Sequence, residues 1–251
     1  DDIIYVDPYQ TKPIIGIADY KVLMQGVENQ VSYQRSEFIA PQVTIIGEAA
    51  LLTYNYRSSV LSLKGEVLNQ TPWNATEVYF LIGQHWRIVH THWSYVHQVL
   101  PECVEVPTPI RTAPIVHMGI LGELMTLEMR AMERWRKGDP WGFIEISGPQ
   151  VTYFDSGTPK RIDGREALRA EYKQREGKIF YDVMDFVDPH IRTCGDLAVL
   201  FYRFYSTQLQ PDGSIASRIP WNCTEVFQRT ADQWHIIHTH WSFINGMLVE
   251  A

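Results

Sequence analysis

The chain has 251 residues, a formal net charge of −7 and a hydrophobic fraction of 45%. It can bury a substantial core, so intrinsic disorder is excluded. No cluster of Lys and Arg follows one face, which argues against a nucleic-acid partner, and no apolar run is long enough to cross a bilayer. Three cysteines without CxxC spacing favour free thiols over disulfides or a thiolate metal site. We expect a cytoplasmic protein without a cofactor.

The first hundred residues end in a segment that recurs near the C-terminus. Residues 72–94 read PWNATEVYFLIGQHWRIVHTHWS and residues 220–242 read PWNCTEVFQRTADQWHIIHTHWS, with 13 of the 23 positions identical. The offset of 148 residues holds upstream without a gap, since Tyr5 falls on Tyr153. A constant offset over this length indicates one ancestral domain that was duplicated.

A proline-rich stretch separates the two copies. Residues 101–114 read PECVEVPTPIRTAP, which predicts an extended, semi-rigid linker. Apolar residues then recur at helical spacing through LGELMTLEMRAMERWRK, residues 121–137. We predict a first domain over 1–100, a linker over 101–118 and a second domain over 119–251.

The second copy is the more complete one, and its elements predict the fold class. The predicted helices span 119–137 and 165–175, and the predicted strands span 150–155, 178–187, 191–193, 196–207, 218–229 and 233–244. Helices followed by a run of antiparallel strands give an α+β arrangement. The counterpart of the first helix would precede Asp1, so we expect that an upstream segment was removed.

Three stretches of sequence carry a family resemblance. They are GREALRAEY at 164–172, DPHIRTCGDLAVLFYRF at 188–204 and WHIIHTHWS at 234–242, with a variant of the last at 86–94. They resemble the nuclear transport factor 2-like superfamily, in particular SnoaL-like domains and the association domain of calcium/calmodulin-dependent kinase II. The resemblance implies two cone-shaped domains, packed as a pseudo-dimer. Each would be a strongly curved antiparallel sheet with helices on its concave side.

Paired histidines occupy the last long strand of each copy. His90 and His92, like His238 and His240, are two residues apart and so point to the same face of a strand. With a third ligand, such a pair could chelate a transition metal, which stays an alternative. The resemblance implies instead that these histidines pack on the sheet face opposite the pocket, and we expect no metal.

Alternate residues of the same sheet face the pocket that the resemblance implies. Glu77 and Glu225 stand where the kinase association domain has a pocket arginine. A glutamate there repels an anionic ligand and favours a cation, a hydroxyl group or proton transfer. Burial in an aromatic cone would raise its pKa. Alternatively, the two glutamates form ion pairs with Arg57 or Arg203.

The first functional hypothesis is a SnoaL-like enzyme that acts on a small apolar or aromatic molecule. It would be an isomerase, cyclase or dehydratase that uses acid–base chemistry without a cofactor, mainly in the second domain. Glu225 would act as the base, with Tyr202 or His240 assisting. The residues expected to bind the ligand are Trp241, Thr239, Phe204, Trp221, Glu77, Trp93 and Tyr56.

The alternative hypothesis is a non-catalytic ligand-binding or assembly protein on a tandem pseudo-dimeric scaffold. Residues 79–82 of the first copy read YFLI, whereas the matching residues 227–230 of the second read FQRT. The more apolar strand end of the first copy predicts further self-association, and so a homo-oligomer.

Overall fold

The structure is a computed structural model that describes residues 3–28, 35–100 and 118–248. The chain divides into two compact units. The first unit comprises Asp1–Pro101, Phe154–Arg161 and Ile244–Ala251. The second unit comprises Glu102–Tyr153 and Ile162–Phe243. The linker predicted over 101–118 lies outside the described residues except for Met118.

The first unit is built on an open, curved, six-stranded sheet. Its elements in chain order are β1 (Ile4–Val6), β2 (Ile14–Ile15), α1 (Ile17–Val27), β3 (Arg35–Ile46), β4 (Ala49–Leu61), β5 (Val67–Ile82), β6 (His85–Tyr95) and β7 (Gln98–Val99). The sheet order is β2-β1-β6-β5-β4-β3. Among the four long strands, β3 pairs with β4, β4 with β5 and β5 with β6, all antiparallel. The other neighbour of β6 is β1, which runs parallel to it.

The remaining elements are three helices, the six strands of a second sheet and one further short strand. They are α2 (Gly119–Trp135), α3 (Trp141–Ile146), β8 (Ser147–Phe154), β9 (Ile162–Asp163), α4 (Arg165–Arg175), β10 (Val183–Cys194), β11 (Leu197–Leu209), β12 (Ile215–Thr230), β13 (Gln233–Phe243) and β14 (Met247–Leu248). The sheet order is β10-β11-β12-β13-β8-β9, which is the order of the first sheet read from its other edge. The short strand β14 pairs with β7.

The two sheets repeat each other in detail. The strands β3 to β6 have the same lengths as β10 to β13 and begin 148 residues before them. A bulge follows Val78 in β5 and Val226 at the same place in β12. The first hairpin turns at Gly47 (φ 57°) and Gly195 (φ 55°), in the left-handed region that favours glycine. The duplication predicted from the sequence is therefore confirmed in the fold.

Helices cover one face of the second sheet, called here the inner face. It carries the even-numbered residues Leu200, Tyr202 and Phe204 of β11, which belong to the core cluster. The apolar stripe of α2 supplies Leu124, Met125, Ala131 and Met132 to that core, and α4 supplies Leu168 and Tyr172. Each fully buried aliphatic side chain of this kind contributes about 1.5–3 kcal/mol. This packing positions the inner-face side chains of the second unit.

The inner face of the first unit is covered differently. It carries Leu52, Tyr54 and Tyr56, the counterparts of the β11 residues. Within residues 3–28 and 35–100, no helix corresponds to α2. The helix α1, which corresponds to α4, has no buried residue. This difference leaves apolar side chains of the first sheet exposed, among them Trp86 and Ile88.

The predicted α+β class is confirmed, and the observed element bounds refine the sequence analysis. The helix predicted over 165–175 has those bounds, and the one predicted over 119–137 ends at Trp135. One strand, β10, replaces the strands predicted over 178–187 and 191–193. Asp188 and Pro189 separate the two predicted strands, but in the structure they form a bulge within one continuous strand, with Asp188 at φ 49°. None of the helices in the described ranges combines the length and apolar character needed to cross a bilayer.

Candidate functional site

A polar cluster lies beneath helix α2 on the inner face of the second unit. The Tyr202 hydroxyl on β11 donates a hydrogen bond to Glu128 Oε2 on α2 at 2.7 Å. The Thr239 hydroxyl on β13 donates to Glu225 Oε1 on β12 at 3.3 Å. The strand register brings these residues together, because Glu225 lies opposite Leu200 on one side and Thr239 on the other. Glu128, Tyr202 and Glu225 are called here the carboxyl cluster.

The two glutamates of the carboxyl cluster both have raised pKa values. Burial raises the pKa of Glu128, and burial together with the charge of Glu128 raises the pKa of Glu225 well above its ordinary value. Glu128 Oε1 and Glu225 Oε2 are both buried and have no hydrogen-bond partner within the described residues. Two adjacent buried carboxylates would repel, so this setting favours the protonated form of at least one of them.

The carboxyl cluster is closed to solvent. Glu128, Tyr202 and Glu225 are each 0% exposed. Leu124, from the same helix as Glu128, is also fully buried. A small molecule therefore has no surface of these side chains to contact in this conformation. The cluster acts chemically as a polar contact between α2 and the sheet.

The structure separates His240 from the other two residues predicted to be catalytic. His240 lies between Thr239 and Trp241 on β13, so strand alternation directs it to the face opposite the carboxyl cluster. His238 lies on that same face and is hydrogen-bonded through Nδ1 to Thr152 Oγ1 at 2.7 Å. Tyr202 and Glu225 are brought together, whereas His240 is not.

The paired histidines do not form part of a metal site in the described part of the chain. No three His, Cys, Asp or Glu side chains there are placed to hold one ion. His90, His92, His238 and His240 are all fully buried.

The counterpart of the carboxyl cluster in the first unit has different partners. The Tyr54 hydroxyl donates to Glu77 Oε1 at 3.0 Å, and the Tyr79 hydroxyl donates to Glu77 Oε2. Burial and the negative charge of Glu77 raise the pKa of Tyr54, and burial and the hydrogen bond to Glu77 raise that of Tyr79. Both oxygens of Glu77 are therefore held by neutral phenol groups.

The alternative ion pairs of the two glutamates are not formed. Arg57 pairs with Glu37 at 3.0 Å, and Arg203 pairs with Asp188. Both arginines stand at odd-numbered positions of their strands, opposite in direction to Tyr54 and Tyr202. This prediction was wrong because strand alternation directs the arginines away from the inner face.

A cavity of about 440 Å³ opens on the inner face of the first unit. Seven of its lining residues are aromatic, three are aliphatic, and Asp7 and Gln10 are polar. The lining residues are Tyr5, Asp7, Tyr9, Gln10, Leu23, Met24, Val27, Phe38, Tyr54, Tyr56, Trp73 and Trp93. Pockets of this size and polarity are typical of small-molecule sites.

Asp7 is the acidic residue of the cavity wall. Its Oδ2 accepts a hydrogen bond from the Tyr5 hydroxyl at 2.8 Å, and its Oδ1 accepts from the backbone N–H groups of Tyr9 and Gln10 at 2.8 and 3.0 Å. Burial raises the pKa of Asp7, although these three hydrogen bonds oppose the shift. A carboxyl group in this setting can exchange a proton with a bound molecule.

The residues predicted to bind a ligand fall into two groups. Trp93 and Tyr56 line the cavity, and Glu77 binds the cavity residue Tyr54. In the second unit, Phe204 and Trp221 surround Trp241 with ring centroids 5.9 and 6.0 Å away. Phe204, Thr239 and Trp241 are buried in the core that α2 covers. The predicted residues of the first unit therefore meet an open cavity, whereas those of the second unit pack in a core.

Glu128 was not predicted as a site residue, although its position in the sequence could have revealed it. It is a glutamate within the apolar stripe of α2, and glutamate is rarely fully buried without a partner. The cavity residues Tyr5, Leu23 and Met24 gave no comparable signal. These residues line the cavity because no helix in the described part of the first unit covers them. The spacing of residues in the sequence does not reveal such an arrangement.

A larger surface cleft, of about 720 Å³, lies on the second unit. Helices α2 and α3 and the start of β13 form its walls, with Glu123, Glu145 and Trp234 among its lining residues. Glu123 accepts a hydrogen bond from Trp234 Nε1 at 3.2 Å, and Glu145 forms an ion pair with Arg134 at 2.7 Å. The cleft contains no residue of the carboxyl cluster.

One family model and several solved structures are similar to parts of this chain. The sequence model of the SnoaL-like domain family matches residues 130–246. No curated protein matches the chain. A solved structure of a ketosteroid isomerase-like protein from Parabacteroides distasonis is 33% identical, with 53% of this chain and 93% of that chain covered and a TM-score of 0.44.

Two further solved structures have lower identity. A nuclear transport factor 2-like protein of unknown function from Pseudomonas putida is 24% identical, with 48% of this chain and 83% of that chain covered and a TM-score of 0.42. The association domain of calcium/calmodulin-dependent kinase II from Caenorhabditis elegans is 17% identical, with 48% and 92% covered and a TM-score of 0.40.

Proposed function

We propose, for a chain that belongs to the SnoaL-like branch of the nuclear transport factor 2-like superfamily, that its first unit binds a small apolar or aromatic molecule in the inner-face cavity. The observation that carries the proposal is the cavity of about 440 Å³ with seven aromatic side chains on its wall. Its size lies within the range of small-molecule pockets, and its few polar groups could orient a ligand.

The contrast with the second unit supports this choice of unit. The sequence favours the second unit because its copy is more complete. In that unit, however, Glu128 from α2 occupies the space above Tyr202 and Glu225, and all three are fully buried. The first unit keeps the matching pair, Tyr54 and Glu77, beside an open cavity. We therefore assign ligand binding to the first unit and a supporting role to the second.

Binding can be tested with tert-butylbenzene, a neutral aromatic probe. We expect it to shift the indole N–H signals of Trp73 and Trp93 in NMR spectra, with a Kd of about 0.1–1 mM for ten heavy atoms. Trp93→Ala should weaken binding at least about tenfold, because it removes one wall of the cavity. Trp86→Ala is the matched control, since Trp86 belongs to the same unit but does not line the cavity. Unshifted Trp73 and Trp93 signals at saturation would refute the proposal.

Proton transfer on the bound molecule is a second proposed function, favoured by Asp7. Isomerisation, cyclisation and dehydration of carbonyl compounds can each begin when a base removes a proton next to the carbonyl group. Asp7 could take that proton and leave the electron pair as an enolate, to which a solvent proton then returns. Its raised pKa brings it closer to the working range of a general base at neutral pH.

Exchange of the α protons of 2-tetralone for deuterium tests this second function. We expect the protein to accelerate exchange over buffer, and Asp7→Asn to lower the acceleration about 100-fold or more. Asp19→Asn is the matched control, because Asp19 is exposed on α1. Equal exchange rates for the wild type and Asp7→Asn would leave a binding protein without catalysis, which is the alternative hypothesis from the sequence.

A further inference from the structure

Four aromatic residues of the first-unit cavity form a packed group centred on Trp93, called here the aromatic cluster. The ring of Tyr54 lies 5.7 Å from that of Trp93 at 82°, the ring of Tyr56 lies 5.6 Å away at 89°, and the ring of Trp73 lies 6.2 Å away at 80°. All four side chains line the cavity. The rings contact one another edge to face, and the aromatic surface that they present on the cavity wall can attract a cation.

The cavity wall carries a carboxyl group and, among the described residues, no basic side chain. The described residues that line the cavity include Asp7 but no Lys, Arg or His. The three hydrogen-bond donors to Asp7 are a phenol hydroxyl and two backbone N–H groups, all neutral. Behind the wall residue Tyr54, Glu77 likewise receives hydrogen bonds from the neutral phenols Tyr54 and Tyr79. Within the described part of the chain, no basic side chain is therefore bound to either carboxyl group.

We infer that the molecule selected by this cavity is an organic cation, with an ammonium group held against the aromatic cluster on the cavity wall and an apolar or aromatic body. The inference rests on the proposed binding function and names its ligand class. Ring faces attract a cation through their quadrupoles, and a nearby carboxylate adds Coulomb attraction in a partly desolvated site. An anion would meet repulsion from Asp7 and Glu77 and would find no cationic side chain on the wall.

The second unit shows which part of this arrangement is particular to the first. It has the same rings around Trp241, since Tyr202, Phe204 and Trp221 lie 5.9–6.0 Å away at 81–87°. That cluster is packed into the core beneath α2, and burial there raises the pKa of Glu225, which disfavours its charged form. In the first unit, Asp7 on the wall and Glu77 beside it are held by separate sets of donors.

Three isosteric probes separate charge from shape. They are trimethyl(phenyl)ammonium, its neutral isostere tert-butylbenzene, and the anion benzenesulfonate. Affinities for the full chain are measured by the shifts of the Trp73 and Trp93 indole N–H signals in low-salt buffer at pH 7. We expect the ammonium probe to bind at least about tenfold more tightly than tert-butylbenzene, and benzenesulfonate to bind more weakly than both.

Two variants test the source of the selectivity. Asp7→Asn should lower the ratio of ammonium to neutral affinity at least about threefold, because it removes a charge from the wall while keeping the shape of the side chain. Asp19→Asn, on the exposed surface of α1, should leave the ratio as in the wild type. If Asp7→Asn fails to fold, the ratio of ammonium to neutral affinity in the wild type is sufficient to test the inference.

The outcomes distinguish this inference from the proposed function. If tert-butylbenzene binds as tightly as the ammonium probe, the cation inference is overturned while the binding function stands. If benzenesulfonate binds most tightly, the charge argument is likewise wrong. If none of the probes shifts Trp73 or Trp93, both the proposed function and the inference fail.

Discussion

The inner faces of the two sheets carry matching residues but are covered to different extents. Trp234 is 7% exposed in the second unit, whereas its counterpart Trp86 in the first is 44% exposed. Ile236 is 1% exposed and its counterpart Ile88 is 40% exposed. The same kinds of side chain therefore form a closed core where α2 lies over the sheet and an open aromatic cavity where the described residues supply no such helix.

The matching glutamates of the two units have different surroundings. Glu225 lies beside Glu128 and is fully buried, and burial raises its pKa. Glu77 is bonded to two tyrosines, one of which lines a cavity. The matching glutamate therefore lies in a closed core in one unit and next to a cavity in the described part of the other.

The largest expected effect follows from the matched tryptophans. Trp234→Ala should lower the free energy of unfolding by about 3–5 kcal/mol, because it opens a void in a closed core and removes the Nε1 hydrogen bond to Glu123. Trp86→Ala should change it by only about 0.5 kcal/mol, as expected of an exposed site. Urea unfolding followed by far-UV circular dichroism compares the two. Similar costs would mean that the first inner face is covered in solution.

The pH dependence of the carboxyl cluster should differ from that of exposed glutamates. The pKa values of Glu128 and Glu225 are raised on folding, so their contribution to stability is fully present below the ordinary glutamate pKa of about 4.3. The contribution is lost as the pH rises through the raised pKa values of the folded pair. Glu128→Gln keeps the acceptor for Tyr202 and supplies an N–H donor to Glu225 that does not titrate.

We therefore expect Glu128→Gln to flatten this pH profile. Between pH 5 and pH 9, the wild type should lose about 1–3 kcal/mol more unfolding free energy than the variant, which is the usual cost of an uncompensated buried polar group. The control Glu123→Gln changes an exposed glutamate on the same helix and should keep the wild-type profile. Parallel profiles for the wild type and Glu128→Gln would exclude raised pKa values in the cluster.

Hydrogen exchange should separate the two matching helices. Leu168 and Tyr172 anchor α4 in the core, whereas α1 has no buried side chain. Amides of α4 should exchange at least about tenfold more slowly than those of α1, a difference of about 1.4 kcal/mol in local opening. Peptides that cover residues 17–27 and 165–175, resolved by mass spectrometry, give the comparison. Equal protection would indicate that α1 is held by contacts that its burial does not show.

The duplicated fold could be predicted from the sequence because its signals are local and repeated. The constant offset fixes which strands correspond, and the β-branched and aromatic runs mark the long strands β10 to β13. The gap between the strands predicted over 178–187 and 191–193 was wrong, because β10 is an edge strand with a bulge between Val187 and His190, and both features tolerate a proline. Such tolerance depends on the neighbouring strand and cannot be read from the segment itself.

The candidate site was predictable only in part. Strand alternation groups Tyr202 with Glu225 and Tyr56 with Trp93, because these positions share a face. The contact from Glu128 to Tyr202 and the position of Asp7 on the cavity wall could not be predicted from the sequence. Both depend on which elements lie over the inner face of each sheet, and only the tertiary structure shows this. His240 was predicted to assist Glu225, but strand alternation directs the His240 side chain to the opposite face of the sheet.

The smallest expected effect tests a polar difference between the matching glutamates. Tyr79 donates to Glu77, whereas its counterpart in the second unit is Phe227. Tyr79→Phe should lower the unfolding free energy by about 0.5–1.5 kcal/mol, the net value of one hydrogen bond, because Glu77 Oε2 loses its donor. Tyr56→Phe is the control, since no hydrogen bond of the Tyr56 hydroxyl is found within the described residues, and it should change stability by less. If Tyr56→Phe lowers the unfolding free energy more than Tyr79→Phe does, the assignment of Tyr79 as a hydrogen-bond partner of Glu77 is wrong.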